Sequence, residues 1–271
     1  MKKAVFLYDY TGIMAQPWLD SGYECWCFDG QHEPGIIREG NHVKVGMWFD
    51  AYRTREHVKE IVETVGDAEI VIGFPECTHL AVSGAAHFAK KLAENPAIQA
   101  EATELARMVM YVGEAFNCPW VAENPVSVLA TTWRKSNHKF EPHQYGGYLP
   151  IDDVHPTYPE YIKPRDAYPK KTCLWSSDDF VMPKIKGVGP SLHDLEDGKL
   201  PADFIHLVDE LFYDDEKKKP MYKKDGAPIW GYSDQHKKLG GKSLKTKNIR
   251  SATPRGFAKA VFEFNGLTYR R

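Results

Sequence analysis

The sequence contains no long hydrophobic run. None of the apolar stretches in its 271 residues approaches the roughly 18 residues that a membrane-spanning helix requires. The first residues, MKKAVFLYDYTG, also lack the long apolar core and the small-residue cleavage site of a signal peptide, so we interpret them as a β-strand. We therefore predict a protein without a membrane partner.

Cysteine is scarce and irregularly placed. The five cysteines are an odd number without the spacing of a disulfide framework. Cys25 and Cys27 are two residues apart, as are Cys77 and His79, and neither pair has the spacing of zinc ligands. The sequence thus predicts a reduced, cytoplasmic protein that holds no metal.

Acidic residues are few near the C-terminus. Residues 217–271 contain 15 Lys and Arg but three acids, a net charge of +12, whereas the remainder carries −14. This asymmetry predicts an anionic partner that is met on one side only. The alternative is a lysine-rich surface loop that is merely solvated.

Apolar residues are present in sufficient number for a folded core. The chain is 42% hydrophobic and 27% charged, which excludes a disordered protein. Its length predicts one large domain, alone or with a small appendage.

Strand-length apolar runs alternate with helical patterns. The apolar runs occupy residues 4–8, 23–28, 69–74, 120–122 and 172–175, and the helical patterns occupy residues 56–65 and, interrupted near Pro96, 85–116. This alternation predicts an α/β fold with a parallel, doubly wound, Rossmann-like sheet. Ligands of such sheets bind beyond the C-terminal ends of the strands. Further on, residues 203–213 and 254–264 show helical patterns.

Two residues at neighbouring strand ends are candidates for catalysis. Cys77 directly follows an apolar strand, where a thiol is placed for exposure and a lowered pKa. An isolated cysteine is more often a small buried hydrophobe. Glu123 follows the next strand, and adjacent strand ends would bring its carboxylate and the thiol into one pocket. Together they indicate a nucleophile with an acid partner.

Three segments, YTGIMAQPW, GFPECTHLAVSGA and AENPV, resemble in order and spacing the motifs of the DNA cytosine-5 methyltransferases, and more closely the small viral, phage-type members. In this resemblance Tyr10-Thr11-Gly12 matches the loop that holds S-adenosylmethionine, and Pro75-Glu76-Cys77 matches the nucleophile loop. Glu123-Asn124-Pro125 matches the Glu-Asn-Val motif, and the C-terminal RSATPRGFAKAVFE resembles the last motif, a helix that closes the cofactor pocket.

The chain departs from the family at three positions. Asp9 lies one place closer to the glycine loop than the family's acid, and Met14 occupies the place of a second glycine. Glu76 stands where a proline normally precedes the nucleophile.

The resemblance implies a set of cofactor-binding residues. Those assigned to S-adenosylmethionine, or to a carboxylated derivative of it, are Tyr10, Thr11, Gly12, Asp29, Pro75, Arg250 and Ser251. Asp29 matches the acid that binds the ribose hydroxyls. Trp18, Trp26 and Trp48 are candidates for the adenine pocket, although we expect at least two of them to pack in the core.

The resemblance also implies double-stranded DNA as the partner. The residues assigned to substrate or DNA binding are Thr78, Asn124, Lys170, Lys171, Lys237 and Lys238. Between residues 217 and 250, 11 basic residues and two acids are interleaved with Tyr222, Trp230 and Tyr232, at the position of the family's target-recognition domain. This segment is small, so we expect short or relaxed sequence specificity.

These assignments divide the chain into three regions. Residues 1–182 form the catalytic domain, residues 183–248 a small basic target-recognition region, and residues 249–271 a helix that returns to the catalytic domain. We expect a monomer that acts in the cytoplasm of a bacterium or of a host infected by a virus.

The implied reaction explains the residue types. Attack of the Cys77 thiolate on carbon 6 of cytosine, with Glu123 protonating or hydrogen-bonding ring N3, makes carbon 5 able to accept a one-carbon group. A base then removes the carbon-5 proton and Cys77 is expelled. The target base must leave the duplex to enter such a pocket.

Other functions stay open at this point. The same fold could modify pyrimidines in RNA, or use carboxy-S-adenosylmethionine, whose carboxylate Arg250 would bind. A non-catalytic DNA-binding relative would lack the cysteine or the glutamate, and both are present. An enzyme of free pyrimidine nucleotides would not need the basic C-terminal segment.

Overall fold

The computed structural model describes residues 1–188, 213–214, 219–220, 235, 238–241 and 243–266. In this part the protein is an α/β fold with a seven-stranded mixed sheet, compatible with a Rossmann-like fold. The sheet strands are β1 (Lys3–Leu7), β2 (Glu24–Glu39), β3 (His42–Gly46), β4 (Val71–Gly73), β5 (Trp120–Pro125), β6 (His138–Phe140) and β7 (Thr172–Ser176). A separate antiparallel pair consists of β8 (Tyr213–Asp214) and β9 (Lys219–Pro220).

The helices connect these strands. They are α1 (Gln16–Asp20), α2 (Thr54–Val65), α3 (Phe88–Glu94), α4 (Ile98–Phe116), α5 (Leu129–Thr132), α6 (Leu244–Ser251) and α7 (Arg255–Asn265). Helix α2 is followed by Gly66, whose φ of 86° is accessible to glycine without strain, and α4 is followed by Asn117 in the left-handed conformation. None of the helices in the described ranges has the length and apolar character needed to span a membrane.

The strand order is β3-β2-β1-β4-β5-β7-β6. β1 pairs in parallel with β2 and with β4, and β4 pairs in parallel with β5. β7 is antiparallel to β5, so the sheet is mixed rather than wholly parallel. The chain leaves β1 toward β2 and β3 and returns on the other side of β1 to form β4. Such a reversal leaves a crevice at the carboxyl ends of β1 and β4.

Strand β2 continues well beyond the predicted run at residues 23–28. Its first part pairs in parallel with β3, from Cys25 opposite His42 to Asp29 opposite Gly46. After a bend, its second part pairs with β3 again in the opposite direction, with Glu39 opposite His42. We call residues 31–46 the β2–β3 hairpin. Gly40 and Asn41 form its turn, which has the two-residue length favoured in hairpins.

Residues 1–139, 171–182 and 261–271 form a first compact unit. Alternate residues of β1 face opposite sides of the sheet, so Val5 and Leu7 belong to the core that includes α2 and α4. On the other side the rings of Phe6 and Phe262 lie 6.4 Å and 5.0 Å from that of Trp18. Truncating a fully buried aromatic residue typically costs about 3–5 kcal/mol, so this cluster is a major source of stability.

Residues 140–170 and 183–260 form the second unit. Its described part is organised around the first turns of α7, where Phe257 stacks on Phe140 with a centroid distance of 3.9 Å. Asp153 pairs with Arg255 at 2.7 Å, and Asp166 accepts the backbone N–H of Gly256 at 2.7 Å. Burial raises the pKa of Asp166 to about 7.

The proposed target-recognition region, residues 183–248, lies mostly outside the described residues, as do Lys237, Tyr222, Trp230, Tyr232 and nearly all of the predicted helix at 203–213. The predicted helix at 254–264 is confirmed by α7, and the strand at 172–175 by β7. The division into three regions stays a prediction.

Candidate active site at the strand ends

The loop after β1 is built around a buried carboxylate. Asp9 is 3% exposed, and its Oδ1 accepts hydrogen bonds from the backbone N–H of Gly12 at 2.8 Å and from the Thr11 hydroxyl at 3.1 Å. Gly12 has a φ of 66°, and a β-carbon there would lie 3.1 Å from Cε1 of His42. This position therefore requires glycine. Tyr10 is 43% exposed beside this turn, with its ring 5.4 Å from that of His32.

Several buried polar atoms around this loop have no hydrogen-bond partner among the described residues. They are Oδ2 of Asp9, Oε1 of Gln31, Nε2 of His32 and Nε2 of His42. Burial raises the pKa of Asp9 to about 6 and lowers the pKa of both histidines. Unsatisfied buried polar atoms are costly, and a polar ligand that bonds to them would recover that cost. The loop thus fits a polar ligand such as the adenosyl donor.

A second acid and an exposed tryptophan lie at the end of the parallel part of β2. Oδ1 of Asp29 accepts the backbone N–H of Gln31 at 2.7 Å, and burial raises the pKa of Asp29. Trp48 is 78% exposed and lies so close to Gly30 that a β-carbon at position 30 would overlap its indole. A flat aromatic surface is therefore available next to Asp29. The base of a nucleoside could stack on the indole of Trp48 while its ribose lies at Asp29.

The other two candidate tryptophans are core residues. Trp18 is fully buried, and Trp26 is buried with its indole N–H donating to Glu24. The expectation that at least two of the three pack in the core is confirmed.

The nucleophile loop begins directly after β4. Pro75 is buried and Cys77 is half-buried, so the thiol is neither a core residue nor fully exposed. The carbonyl of Cys77 accepts the backbone N–H groups of Leu80 at 3.0 Å and Ala81 at 2.8 Å, which closes a tight turn after the cysteine. The backbone around the thiol is therefore fixed by local hydrogen bonds.

The end of β5 and the segment after it are hydrogen-bonded to the loop that carries Cys77. Asn124 is 1% exposed, and its Nδ2 donates to the carbonyl of Pro75 at 2.9 Å. Farther along the two segments, Val82 N donates to Val126 O and Val128 N donates to Leu80 O, both at 3.0 Å. The structure thus joins the loop that carries Cys77 to the segment that carries Glu123.

Glu123 lies near the carboxyl end of β5, beside this loop. In the parallel pairing of β4 with β5, Ala122 lies opposite Gly73, so Glu123 is level with Phe74, the residue that follows β4. Glu123 is half-buried. The carboxylate is therefore on the strand next to the one from which the Cys77 loop departs, although Glu123 lies within β5 and not, as predicted from the sequence, after the strand.

Glu76 occupies the position before Cys77 and is exposed. Its Oε1 accepts the hydroxyl of Thr78 at 2.6 Å, and the carbonyl of Thr78 accepts Nζ of Lys91 at 2.6 Å. The negative charge of Glu76 adds to burial in raising the pKa of Asp29. Asp9, Asp29, Glu76 and Glu123 thus make this edge of the sheet acidic.

Four other predicted site residues belong to the second unit. Arg250 donates from Nη2 to Leu239 O at 2.6 Å, and its own carbonyl accepts Nζ of Lys170 at 2.9 Å. Lys238 donates to Glu160 O at 2.9 Å, and Ser251 is exposed at the end of α6. Lys171 is exposed and immediately precedes β7 in the first unit.

A cleft of about 480 Å³ lies at the opposite end of β5. Its lining includes Glu114, Cys118, Trp120 and Arg134. Trp120 begins β5, whereas Glu123 lies toward the end of that strand, so this cleft is separate from the Cys77 loop.

Sequence reasoning missed the contributions of His32 and His42 and the contact of Trp48 with Gly30. These residues reach the Asp9–Gly12 loop and Asp29 through the β2–β3 hairpin, which the Gly40-Asn41 turn and the alternating residues 42–46 could have indicated. In the described ranges, no group of three or more His, Cys, Asp or Glu side chains could hold a metal ion. No protein family model and no curated protein matches the chain.

Proposed function

We propose that this protein is an S-adenosylmethionine-dependent DNA cytosine-5 methyltransferase. The observation that carries the proposal is the hydrogen bond from Asn124 to Pro75, because it unites the thiol-bearing loop with the segment that holds Glu123. The strand order supports it, since the Asp9–Gly12 loop and Cys77 follow the two strands between which the chain order reverses. A doubly wound, Rossmann-like catalytic domain is part of this proposal.

The acidic edge would receive the donor. When bound, S-adenosylmethionine supplies an activated methyl group on a sulfonium cation. Asp29 would hold the ribose hydroxyls, Trp48 would stack on the adenine, and the turn formed by Tyr10, Thr11 and Gly12 would support the amino-acid end. A carboxylate about 6 Å from a sulfonium stabilises it by about 3 kcal/mol at an effective dielectric of 20.

The two catalytic residues would activate the cytosine. The Cys77 thiolate adds to carbon 6, and the electron pair of the carbon 5–carbon 6 double bond moves through the ring toward N3. Glu123 donates a proton to N3, so that the ring becomes a neutral enamine with a nucleophilic carbon 5. Asn124 and Pro75 fix the two loops, and Thr78 is placed beside the nucleophile to contact the substrate.

DNA would be held by basic residues outside this edge, including Lys170, Lys171, Lys237, Lys238 and the remaining lysines between 217 and 250. Phosphate contacts of this kind bind without reading sequence. Arg250 and Ser251 are assigned to the donor by resemblance alone. In this proposal the protein is a cytoplasmic monomer that acts on double-stranded DNA.

A substituted donor is the second candidate. Carboxy-S-adenosylmethionine would deliver a carboxymethyl group, and Arg250 could bind its carboxylate in bidentate fashion. The acids Asp9, Asp29 and Glu76 favour the unsubstituted cation, because a donor carboxylate near them would be repelled. Modification of RNA would use the same residues.

One experiment tests these alternatives. The protein is incubated with each donor, carrying a labelled transferable carbon, and with duplex DNA, RNA or free cytidine nucleotide. The product is digested and the modified nucleoside is identified by mass spectrometry. We expect 5-methylcytosine from duplex DNA. A heavier, acidic nucleoside would show that the donor is carboxy-S-adenosylmethionine. Label in RNA alone would show that RNA is the substrate. No label in any polymer would contradict the proposal.

A further inference from the structure

Glu76 is a carboxylate for which the family resemblance provides no role, since the family has proline at that position. It is exposed and directly precedes the nucleophile Cys77. The Thr78 hydroxyl donates to Oε1 of Glu76 at 2.6 Å, so the carboxylate is tied to the residue on the other side of Cys77. The carboxylate is therefore held on the part of the loop that presents the thiol.

The loop itself is fixed on both sides of this residue. Pro75, before Glu76, accepts the hydrogen bond from the buried Asn124 at 2.9 Å. Thr78, after it, is bonded through its carbonyl to Lys91 at 2.6 Å. Glu76 also adds to the electrostatic field at Asp29, so its charge acts toward the end of β2. A carboxylate on such a loop is preorganised for one position.

The stereochemistry of the proposed reaction requires a base on this side. Once sulfur is bonded to carbon 6 on one face of the ring, the bulky donor reaches carbon 5 from the opposite face. The new substituent on carbon 5 then projects away from sulfur, and the carbon-5 hydrogen turns toward the face that sulfur occupies. Carbon 5 and carbon 6 are bonded neighbours, so a base adjacent to the cysteine can reach that hydrogen.

We propose, resting on the function above, that Glu76 is the general base that removes the carbon-5 proton. The proton moves to the Glu76 carboxylate, and the electron pair of the carbon–hydrogen bond forms the carbon 5–carbon 6 double bond. The carbon 6–sulfur bond breaks, and its electron pair leaves with the Cys77 thiolate. The N3 proton returns to Glu123, and Glu76 loses its proton to solvent.

The test separates methyl transfer from product release. Wild type, Glu76→Gln and a control, Glu63→Gln, are mixed with labelled S-adenosylmethionine and duplex DNA, and samples are quenched over a single turnover. Glu63 is an exposed acid on α2, outside the strand-end loops. Label in DNA reports transfer, and a protein–DNA adduct that survives denaturant reports the species before elimination.

We expect Glu76→Gln to transfer label at close to the wild-type rate and to accumulate the adduct, with release slowed by about 10²–10⁴-fold, the usual effect of a general base. On a duplex with 5-fluorocytosine, which has no carbon-5 proton to remove, Glu76→Gln and wild type should form adducts at equal rates. Equal adduct formation also shows that the variant is folded.

Two results overturn the inference and leave the proposed function standing. Release at the wild-type rate would exclude Glu76 as the base, and a parallel loss of transfer and release would give it a role before transfer. Wild type that neither transfers label nor forms the fluorinated adduct would overturn the proposed function as well. Wild-type turnover with an unaffected Glu76→Gln variant would overturn this inference alone.

Discussion

The side-chain amide of Asn124 donates a hydrogen bond to the backbone carbonyl of Pro75 over 2.9 Å. Asn124 follows Glu123 and Pro75 precedes the loop residues Glu76 and Cys77, so this buried contact ties together the two segments that carry the proposed catalytic groups. Parallel strands bring their ends to the same edge, but only a contact of this kind fixes loops that leave that edge.

Removal of this amide should lower activity by more than the accompanying loss of folding stability can explain. We expect Asn124→Ala to cost about 1–3 kcal/mol of unfolding free energy, because the Pro75 carbonyl loses its partner, and to reduce single-turnover methyl transfer at least tenfold. Asn265→Ala is the matched control, since that buried amide donates to Val181 O at 2.9 Å away from the loop. Urea unfolding and rapid quench measure the two effects. Equal activity loss in both variants would count against a positioning role.

Cys77 should be indispensable for turnover and dispensable for donor binding. We expect Cys77→Ala to abolish methyl transfer and the covalent adduct with 5-fluorocytosine DNA, while calorimetry shows an unchanged donor Kd, because the donor is held by other loops. Cys118→Ala, at the other half-buried cysteine, should retain both activities. Turnover by Cys77→Ala would remove the assignment.

Glu123→Gln keeps the size of the side chain and loses its acidic proton. We expect methyl transfer to fall by about 10²–10⁴-fold, since the ring nitrogen then receives no proton as carbon 6 is attacked. Glu114→Gln, at an exposed acid near the end of α4, should behave as wild type. The measurement is the single-turnover rate at saturating donor. A loss below about tenfold would show that hydrogen bonding alone suffices.

Trp48 should contribute to donor affinity through stacking. We expect Trp48→Ala to weaken binding by about 1–3 kcal/mol, the usual contribution of a base stacked on an aromatic ring, and Trp48→Phe to weaken it less. Tyr52→Ala is the control, because Tyr52 is 77% exposed nearby in sequence and hydrogen-bonds to Glu101. Calorimetry with the donor measures the affinities. Unchanged affinity in Trp48→Ala would leave the indole without a role in binding.

Donor affinity should depend on the ionisation of Asp9. Burial raises its pKa in the folded protein from 3.8 to about 6, so the folded state holds a proton there that the unfolded state has released between these values. Below pH 6 the neutral acid attracts the cationic donor less, and we expect donor affinity to fall. The raised pKa also makes unfolding free energy decrease as pH rises from about 4 to 6.

The variant Asp9→Asn tests both parts of this expectation. It should remove the inflection near pH 6 from the calorimetric Kd and flatten the stability profile between pH 4 and 6. Asp67→Asn, at a largely exposed acid paired with Lys3, serves as control. An inflection that persists in Asp9→Asn would assign it to another group.

Much of the sheet was accessible to sequence reasoning because its central strands are short, buried apolar runs. The stretches around Val5, Ile72 and Val121 were found for that reason, and with them the edge at which Cys77 and Glu123 lie. The doubling back of β2 along β3 is absent from our sequence prediction, although residues 42–46 alternate polar and apolar side chains and Gly40-Asn41 has the composition of a two-residue hairpin turn. The contacts of His32, His42 and Trp48 with the strand-end loops depend on that hairpin, so they are absent from the prediction as well.

The antiparallel direction of β7 was likewise not encoded in its residues. The run around Leu174 is fully buried, and such a run has the same composition in a parallel or an antiparallel strand. Its direction depends on the long connection that precedes it, residues 141–171, which has no regular pattern. The hydrogen bond of Asn124 was also not predictable, because a side-chain contact with a loop backbone leaves no periodic trace.

The β2–β3 hairpin makes the proposed nucleotide site dependent on the strand pairing at the base of the hairpin and not on its turn. Asp29 precedes the hairpin and Trp48 follows it, so the spacing of acid and indole is set by the pairing of the two strands at the hairpin base. A single residue inserted at Gly40-Asn41 leaves the strand partners free to adjust, whereas one inserted between Val43 and Gly46 would invert the side chains that follow. Length variation in homologues should therefore be tolerated at the tip and excluded at the base.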